Sequence, residues 1–344
     1  MEYDASSPKS PGKIPSHDRP VLRLDSPLCR GQAHGKVILL GEHAVVYGAP
    51  AVALSVPDAI CRAVALPSRL GGSGLMRFRF RSASTPAVQV TEQAQPGLSA
   101  LVDDLLERAA DRHVQAVDIV MRSSFPAGRG LGSSAACARA AAEALNVLLD
   151  LSLSPAGIHD VVQRAENRTH GRASGIDTYA TGSPGLLVLD KGRTRTPAVG
   201  RQAWVVIADS GTVSSTRQAV EMLRTRFVQA PGSRRAFLEA SEALTFDGLH
   251  ALAEGDLNRL GMRLNDAHAL LQPLGLVTHA VQELIDAALA AGALGAKMTG
   301  GGLGGCAIAL TDTAARADAV AARLRRNGAE HIWRVPLVRE EHRS

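Results

Sequence analysis

The chain has 344 residues, 45% hydrophobic and 21% charged, with 33 glycines and a formal net charge of +5. That length gives two domains sharing a cleft as the expectation, and the composition excludes fibrous or globally disordered classes. Aromatics at 3% with no Lys/Arg-rich block argue against nucleic acid, and no uncharged apolar run reaches the roughly 18 residues of a membrane span.

Residues 1–28, rich in proline and poor in apolar anchors, read as a mobile tail. The Lys36 to Leu40 run predicts a buried strand, Gly41 to Gly48 a loop and Ala51 to Val56 a second strand. A helix is expected over 97–112 and a strand over 116–121. These lead into Pro126-Ala127-Gly128-Arg129-Gly130-Leu131-Gly132-Ser133-Ser134-Ala135. Ser133 or Ser134 is the expected N-cap of an Ala-rich helix to about residue 149. A helix from about 155 to 169 carries Glu166 and ends at His170-Gly171, and Ser174-Gly175-Ile176-Asp177 reads as a turn. The domain change is placed near 200, giving domains of 29–200 and 201–344. The second domain alternates helices (toward Arg226 from a Ser215 capping box, then about 236–253, 255–272, 277–291 and 313–327) with strands at 204–209, 294–299, 305–310 and 331–338, an α+β pattern.

Four cysteines (29, 61, 137 and 306) form no Cys-x-x-Cys pair, so neither a disulfide framework nor a zinc site is expected. With no signal pattern at the N-terminus, the expected location is cytoplasmic.

Three glycine-rich stretches carry the chemistry: Gly35 to Gly48, Pro126 to Ala136, and Lys297-Met298-Thr299-Gly300-Gly301-Gly302-Leu303-Gly304-Gly305-Cys306. In the middle one, glycines at every second position followed by Ser-Ser and a helix set bare backbone N–H groups at a helix N-terminus, a phosphate cradle. It has neither the spacing of a Walker A loop nor the context of a dinucleotide fingerprint. A glycine cluster by itself is more often a tight turn; the two partner motifs and the Ser-Ser pair decide for phosphate.

Phosphoryl transfer needs phosphate donors, a metal and an acceptor for the nucleophile's proton. Glu166 and Asp177 are the candidate carboxylates, although a carboxylate on a helix is usually solvated surface. Only five of the 38 Lys and Arg residues are lysines, yet Lys36 and Lys297 flank two of the glycine motifs. Lys36 on a buried strand needs an anionic partner, whereas Lys297 also reads as a snorkelling strand-end residue. His43, beside Glu42, is either structural or a substrate contact; Cys306 reads as a packed residue.

These motifs, in this order, resemble those of the GHMP kinase superfamily. Lys-Val-Ile-Leu-x-Gly-Glu-His-Ala-Val-Val-Tyr-Gly and Glu166-Asn167-x-x-His170-Gly171-x-x-Ser174-Gly175-Ile176-Asp177 are similar to the mevalonate kinase version, particularly that of short actinobacterial-type members. The resemblance covers residues 31 to 338. It implies a ribosomal-protein-S5-domain-2-like N-terminal domain and a ferredoxin-like C-terminal domain, with ATP and Mg2+ between them and mevalonate as acceptor. It further implies Asp177 as catalytic base with Lys36 beside it, and phosphate binding by Pro126, Gly128, Gly130, Leu131, Gly132, Ser133, Ser134 and Ala135. Ser134 and Glu166 would hold the metal, and Glu42, His43, Gly300, Gly301 and Gly302 the substrate. No nucleic-acid or membrane partner is implied; a homodimer is a common arrangement. The weighed alternatives are a sister small-molecule kinase, such as a phosphomevalonate or homoserine kinase, a related decarboxylase, and a non-catalytic ligand sensor. Arg129 and Leu303 depart from the family pattern.

Overall fold

The computed structural model describes residues 29–338, apart from 69–76, 83–84, 91–95, 110–113, 115 and 172. The expected tail at 1–28 and the end of the 97–112 helix therefore lie outside the described residues.

The first sheet comprises β1 (Arg30–Leu40), β2 (Ala51–Pro67), β3 (Arg77–Ser82), β4 (Thr85–Val90), β5 (Val117–Ser123), β6 (Leu186–Asp190) and β7 (Arg193–Arg195). Their order is β4-β3-β5-β2-β6-β7 with β1 paired to β2, and every pairing is antiparallel except β3 with β5. Helices α1 (Pro96–Arg108), α2 (Ser133–Leu148), α3 (Pro155–His170) and α4 (Ile176–Ala180) accompany it. The alanine run of α2 lies tightly on β1, where Gly31 leaves room for the Ala140 backbone. The strands at 36–40 and 51–56 are both longer than expected, because they zip together from Arg30 opposite Val64 to Leu40 opposite Val52. Strands β3, β4, β6 and β7 were not anticipated from the sequence.

Two local expectations are corrected. The residue before α2 is Gly132, at φ 70, and no serine caps it. Both serine hydroxyls are committed elsewhere: Ser134 Oγ donates to Glu166 Oε1 and Ser133 Oγ accepts from Gly128 N. Asp177 is not in a turn but in the first turn of α4, because Gly175 at φ 90 ends the turn and starts the helix.

The second sheet, β11-β8-β10-β9, is wholly antiparallel and is built from β8 (Ala203–Asp209), β9 (Gly295–Met298), β10 (Cys306–Thr311) and β11 (His331–Leu337). Around it run α5 (Thr216–Gln229), α6 (Pro231–Glu254), α7 (Leu257–Leu271), α8 (His279–Ala290) and α9 (Ala314–Arg326). Ser215 caps α5, accepting from Gln218 N at 3.3 Å as its capping box predicts. One apolar core is continuous across both sheets, joining Val37, Leu54 and Ile119 to Val205, Leu249 and Ile308. At the junction, Thr299 Oγ1 accepts from Ile38 N at 2.8 Å and donates to Ile38 O at 2.9 Å, pinning the third glycine motif to β1.

Candidate active site

The middle glycine loop takes the conformation its composition demands. Gly128, Gly130 and Gly132 have φ of 70, 78 and 70°, a left-handed region open to glycine at little cost. A loop of this kind ahead of a helix is a backbone form that binds anions, and the α2 dipole favours an anion there. Leu131 and Ala135 are fully buried and Pro126 is buried too, so they hold the loop from beneath.

β1 delivers Lys36 to this loop. Its backbone N donates to Leu131 O at 2.9 Å, and its Nζ donates to Gly130 O at 3.3 Å and pairs with Asp177 Oδ1 at 3.0 Å. Gly132 makes room for the lysine stem, since a Cβ there would meet Lys36 Cε at 2.9 Å. A buried ammonium is thus held between the phosphate loop and a carboxylate, the pairing that its burial requires.

Opposite it, α3 presents Glu166, 3% exposed, whose Oε1 accepts from Ser134 Oγ at 2.6 Å; His170 Nε2 lies 3.8 Å from its other oxygen. Burial pushes the Glu166 carboxyl up to about 7, with Asp177 adding to the rise and Ser134 and Lys36 opposing it. A buried carboxylate beside a hydroxyl, with its charge incompletely offset, is the oxygen-only donor set that suits Mg2+. The two residues fit the ion that the resemblance implies.

A cleft of about 700 Å³ opens over Asp177 and is walled by both domains, with Lys36, His43, Glu166, Gly300, Gly301 and Arg217 among its lining. A second cavity of about 690 Å³ lies on the other side of the α2 N-terminus, lined by Ala127, Ser133, Ser134, Cys137 and Glu166. Glu166 borders both cavities, and Ser134, its hydrogen-bond partner, lines the second.

His43 lies at φ 60 and is 6% exposed, and its Nε2 donates to Gly301 O at 3.1 Å, leaving Nδ1 as an acceptor. Burial, reinforced by Lys297, lowers its pKa to about 4, so the ring is neutral. Glu42 does not reach the cleft. It is buried at 2% exposure and paired with Lys297, which is itself fully buried and also donates to Met298 O at 2.7 Å. Lys297 is therefore no snorkelling strand-end lysine. Gly302 is likewise off the cleft wall, its carbonyl accepting from Ser214 Oγ at 2.7 Å. Leu303, at φ 60, occupies a left-handed position and packs on the core of the second sheet.

Sequence reasoning missed Thr216 and Arg217, which the start of α5 brings to the cleft. The Ser215 capping box located the helix, but one arginine in an arginine-rich chain carried no signal of its own.

A left-handed glycine loop at a helix N-terminus, a buried carboxylate beside a serine hydroxyl and a lysine-paired aspartate beneath an open cleft are the groups that a small-molecule kinase needs. Two family profiles match accordingly, GHMP kinases N terminal domain over residues 98–185 and GHMP kinases C terminal over 249–330. Mevalonate kinases of Pyrococcus horikoshii and Aeropyrum pernix are 34% and 33% identical, covering 81% and 82% of this chain and 87% and 88% of their own. In fold, the chain is similar to the crystal structure of L. major mevalonate kinase in complex with R-mevalonate, with a TM-score of 0.73 at 24% identity, covering 90% of this chain and 96% of that one. The chain belongs to the mevalonate kinase family of the GHMP kinases, and it has their two-domain fold. Among the described residues, no helix is long and apolar enough to cross a membrane.

Proposed function

We propose that this chain transfers the γ-phosphoryl group of ATP to the 5-hydroxyl of (R)-mevalonate, giving 5-phosphomevalonate and ADP in the mevalonate route to isoprenoids. The observation that carries the proposal is the Lys36 ammonium, within reach of both Asp177 Oδ1 and Gly130 O, with Glu166 facing the acceptor cleft and the nucleotide-side cavity.

Asp177 accepts the hydroxyl proton as the oxygen attacks, and Lys36 orients that carboxylate and offsets the charge that develops on the transferring group. The N–H groups of Gly130 to Ser134 bind the phosphates, and the α2 dipole adds to their pull. Mg2+, held by Ser134 and Glu166, would neutralise the phosphate oxygens. Neutral His43 offers Nδ1 as an acceptor to a substrate hydroxyl, while Gly300 and Gly301 close the cleft from the second domain. Among the described residues, the lysine and arginine side chains of the cleft are Lys36, already engaged by Asp177, and Arg217, so the acceptor's carboxylate is assigned to Arg217. Glu42 supports the His43 loop from behind through Lys297 rather than touching substrate.

A homodimer is one assembly open to the chain, and sedimentation at two concentrations would test it.

The deciding assay is ADP release by the purified protein with MgATP and, separately, (R)-mevalonate, phosphomevalonate, homoserine or galactose. Turnover on mevalonate alone is expected, and Asp177→Asn should abolish most of it. Turnover on another acceptor would overturn the substrate, and silence on all four would overturn the activity.

A further inference from the structure

Arg129 sits inside the phosphate loop, yet its side chain lines neither cavity. It runs away from the cleft into the second domain and is 12% exposed. There its Nε lies 3.7 Å from Asp209 Oδ2 and its Nη2 donates to Glu330 Oε2 at 3.3 Å. Asp209 ends β8 and is wholly buried. Its Oδ1 accepts from Gly211 N at 3.0 Å, while its Oδ2 has no hydrogen-bond partner and faces the guanidinium and His331 Nδ1, 3.6 Å away. A buried carboxylate with a free oxygen needs a cation nearby, and the phosphate loop supplies it.

The backbone around Arg129 is engaged from the same side. Gly128 O accepts from Ser214 N at 2.6 Å. Gly305 and Gly300 let the loop close on the third glycine motif, since a Cβ on either would stand 2.9 Å from Arg129 O or Gly130 O respectively. The outer edge of the loop therefore rests on three separate segments of the second domain, and its only charged tie to them runs through Arg129 among the described residues.

We propose that Arg129 is a positioning residue: through Asp209 and Glu330 it fastens the phosphate loop of the first domain to the sheet of the second, so that the affinity of the loop for nucleotide phosphates depends on how the domains are docked. The inference rests on the loop being the nucleotide's phosphate site, as assigned above.

The test is MgADP binding, measured by titration calorimetry on the full chain, which needs no acceptor and no turnover. Arg129→Ala and Asp209→Asn should each weaken MgADP by about tenfold, within the range for residues sharing one network, and the double variant should be no weaker than the worse single. Arg129→Lys, which keeps the charge but loses the fork, should fall between wild type and Arg129→Ala. Glu330→Gln at the half-exposed rim should weaken binding by about two- to threefold and guards against loss of fold in the Asp209 variant. Unchanged affinity in Arg129→Ala and Glu330→Gln would overturn the proposal. So would additive losses in the double variant, or a lowered melting temperature with wild-type affinity, the mark of a merely structural pair. Absence of MgADP binding by the wild type would overturn the phosphate-loop assignment itself and this inference with it.

Discussion

Lys36 Nζ lies 3.0 Å from Asp177 Oδ1 and donates to the Gly130 carbonyl, so a single ammonium joins the proposed base to the phosphate loop. Removing either member should therefore strike the chemical step rather than ground-state binding. Lys36→Met and Asp177→Asn are each expected to lower kcat by roughly 10²-fold or more, with smaller changes in KM. Steady-state kinetics checks this; near-wild-type turnover in one variant would remove that residue from the mechanism.

Arg217 stands in the first turn of α5 at the wall of the cleft over Asp177 and does not line the cavity beside Ser133 and Ser134. Arg217→Ala should raise KM for mevalonate by about tenfold or more, the scale of a lost charge-assisted hydrogen bond, while leaving KM for ATP close to wild type. Equal rises for both substrates would show that Arg217 does not hold the acceptor's carboxylate.

Glu42 and Lys297 form a buried ion pair; burial pushes the carboxyl up and the ammonium down, each resisted by the other's charge. Lys297→Met leaves a buried carboxylate alone and should cost about 3–5 kcal/mol of stability, whereas Lys297→Met with Glu42→Gln should recover much of it. Urea unfolding of the single and double variants measures the difference, and a double variant as unstable as Lys297→Met would contradict the pairing.

His43 is held neutral in the folded protein, with its pKa lowered by burial to about 4 against 6.5 for an ordinary histidine. The unfolded chain therefore binds more protons across that window. The contribution of His43 leaves stability undiminished above about pH 6.5 and erodes it as pH falls toward 4, by on the order of 3 kcal/mol. His43→Gln should flatten this part of the profile, and parallel curves for variant and wild type in urea melts at pH 5 and 7 would refute the assignment.

Much of this protein is legible one motif at a time. Alternate glycines at 128, 130 and 132 specify a left-handed loop because few other residues adopt that backbone without strain, and the Ser215 capping box and the Gly171 C-cap mark helix ends by chemistry confined to a few residues. The paired Lys36 and Asp177 were likewise separable as candidates, since a lysine on a buried strand must find an anion. The tertiary structure alone decided which groups meet. Glu42 stands next to His43 in sequence, yet one points to a lysine 255 residues away and the other borders the cleft, because the irregular turn between β1 and β2 sends adjacent side chains to different sides. Arg217 reaches the cleft over Asp177, and Arg129 leaves the glycine loop for Asp209, only because the second domain docks against the first. Long-range charge pairing depends on the packing of whole elements, and no local pattern of residue types encodes that packing.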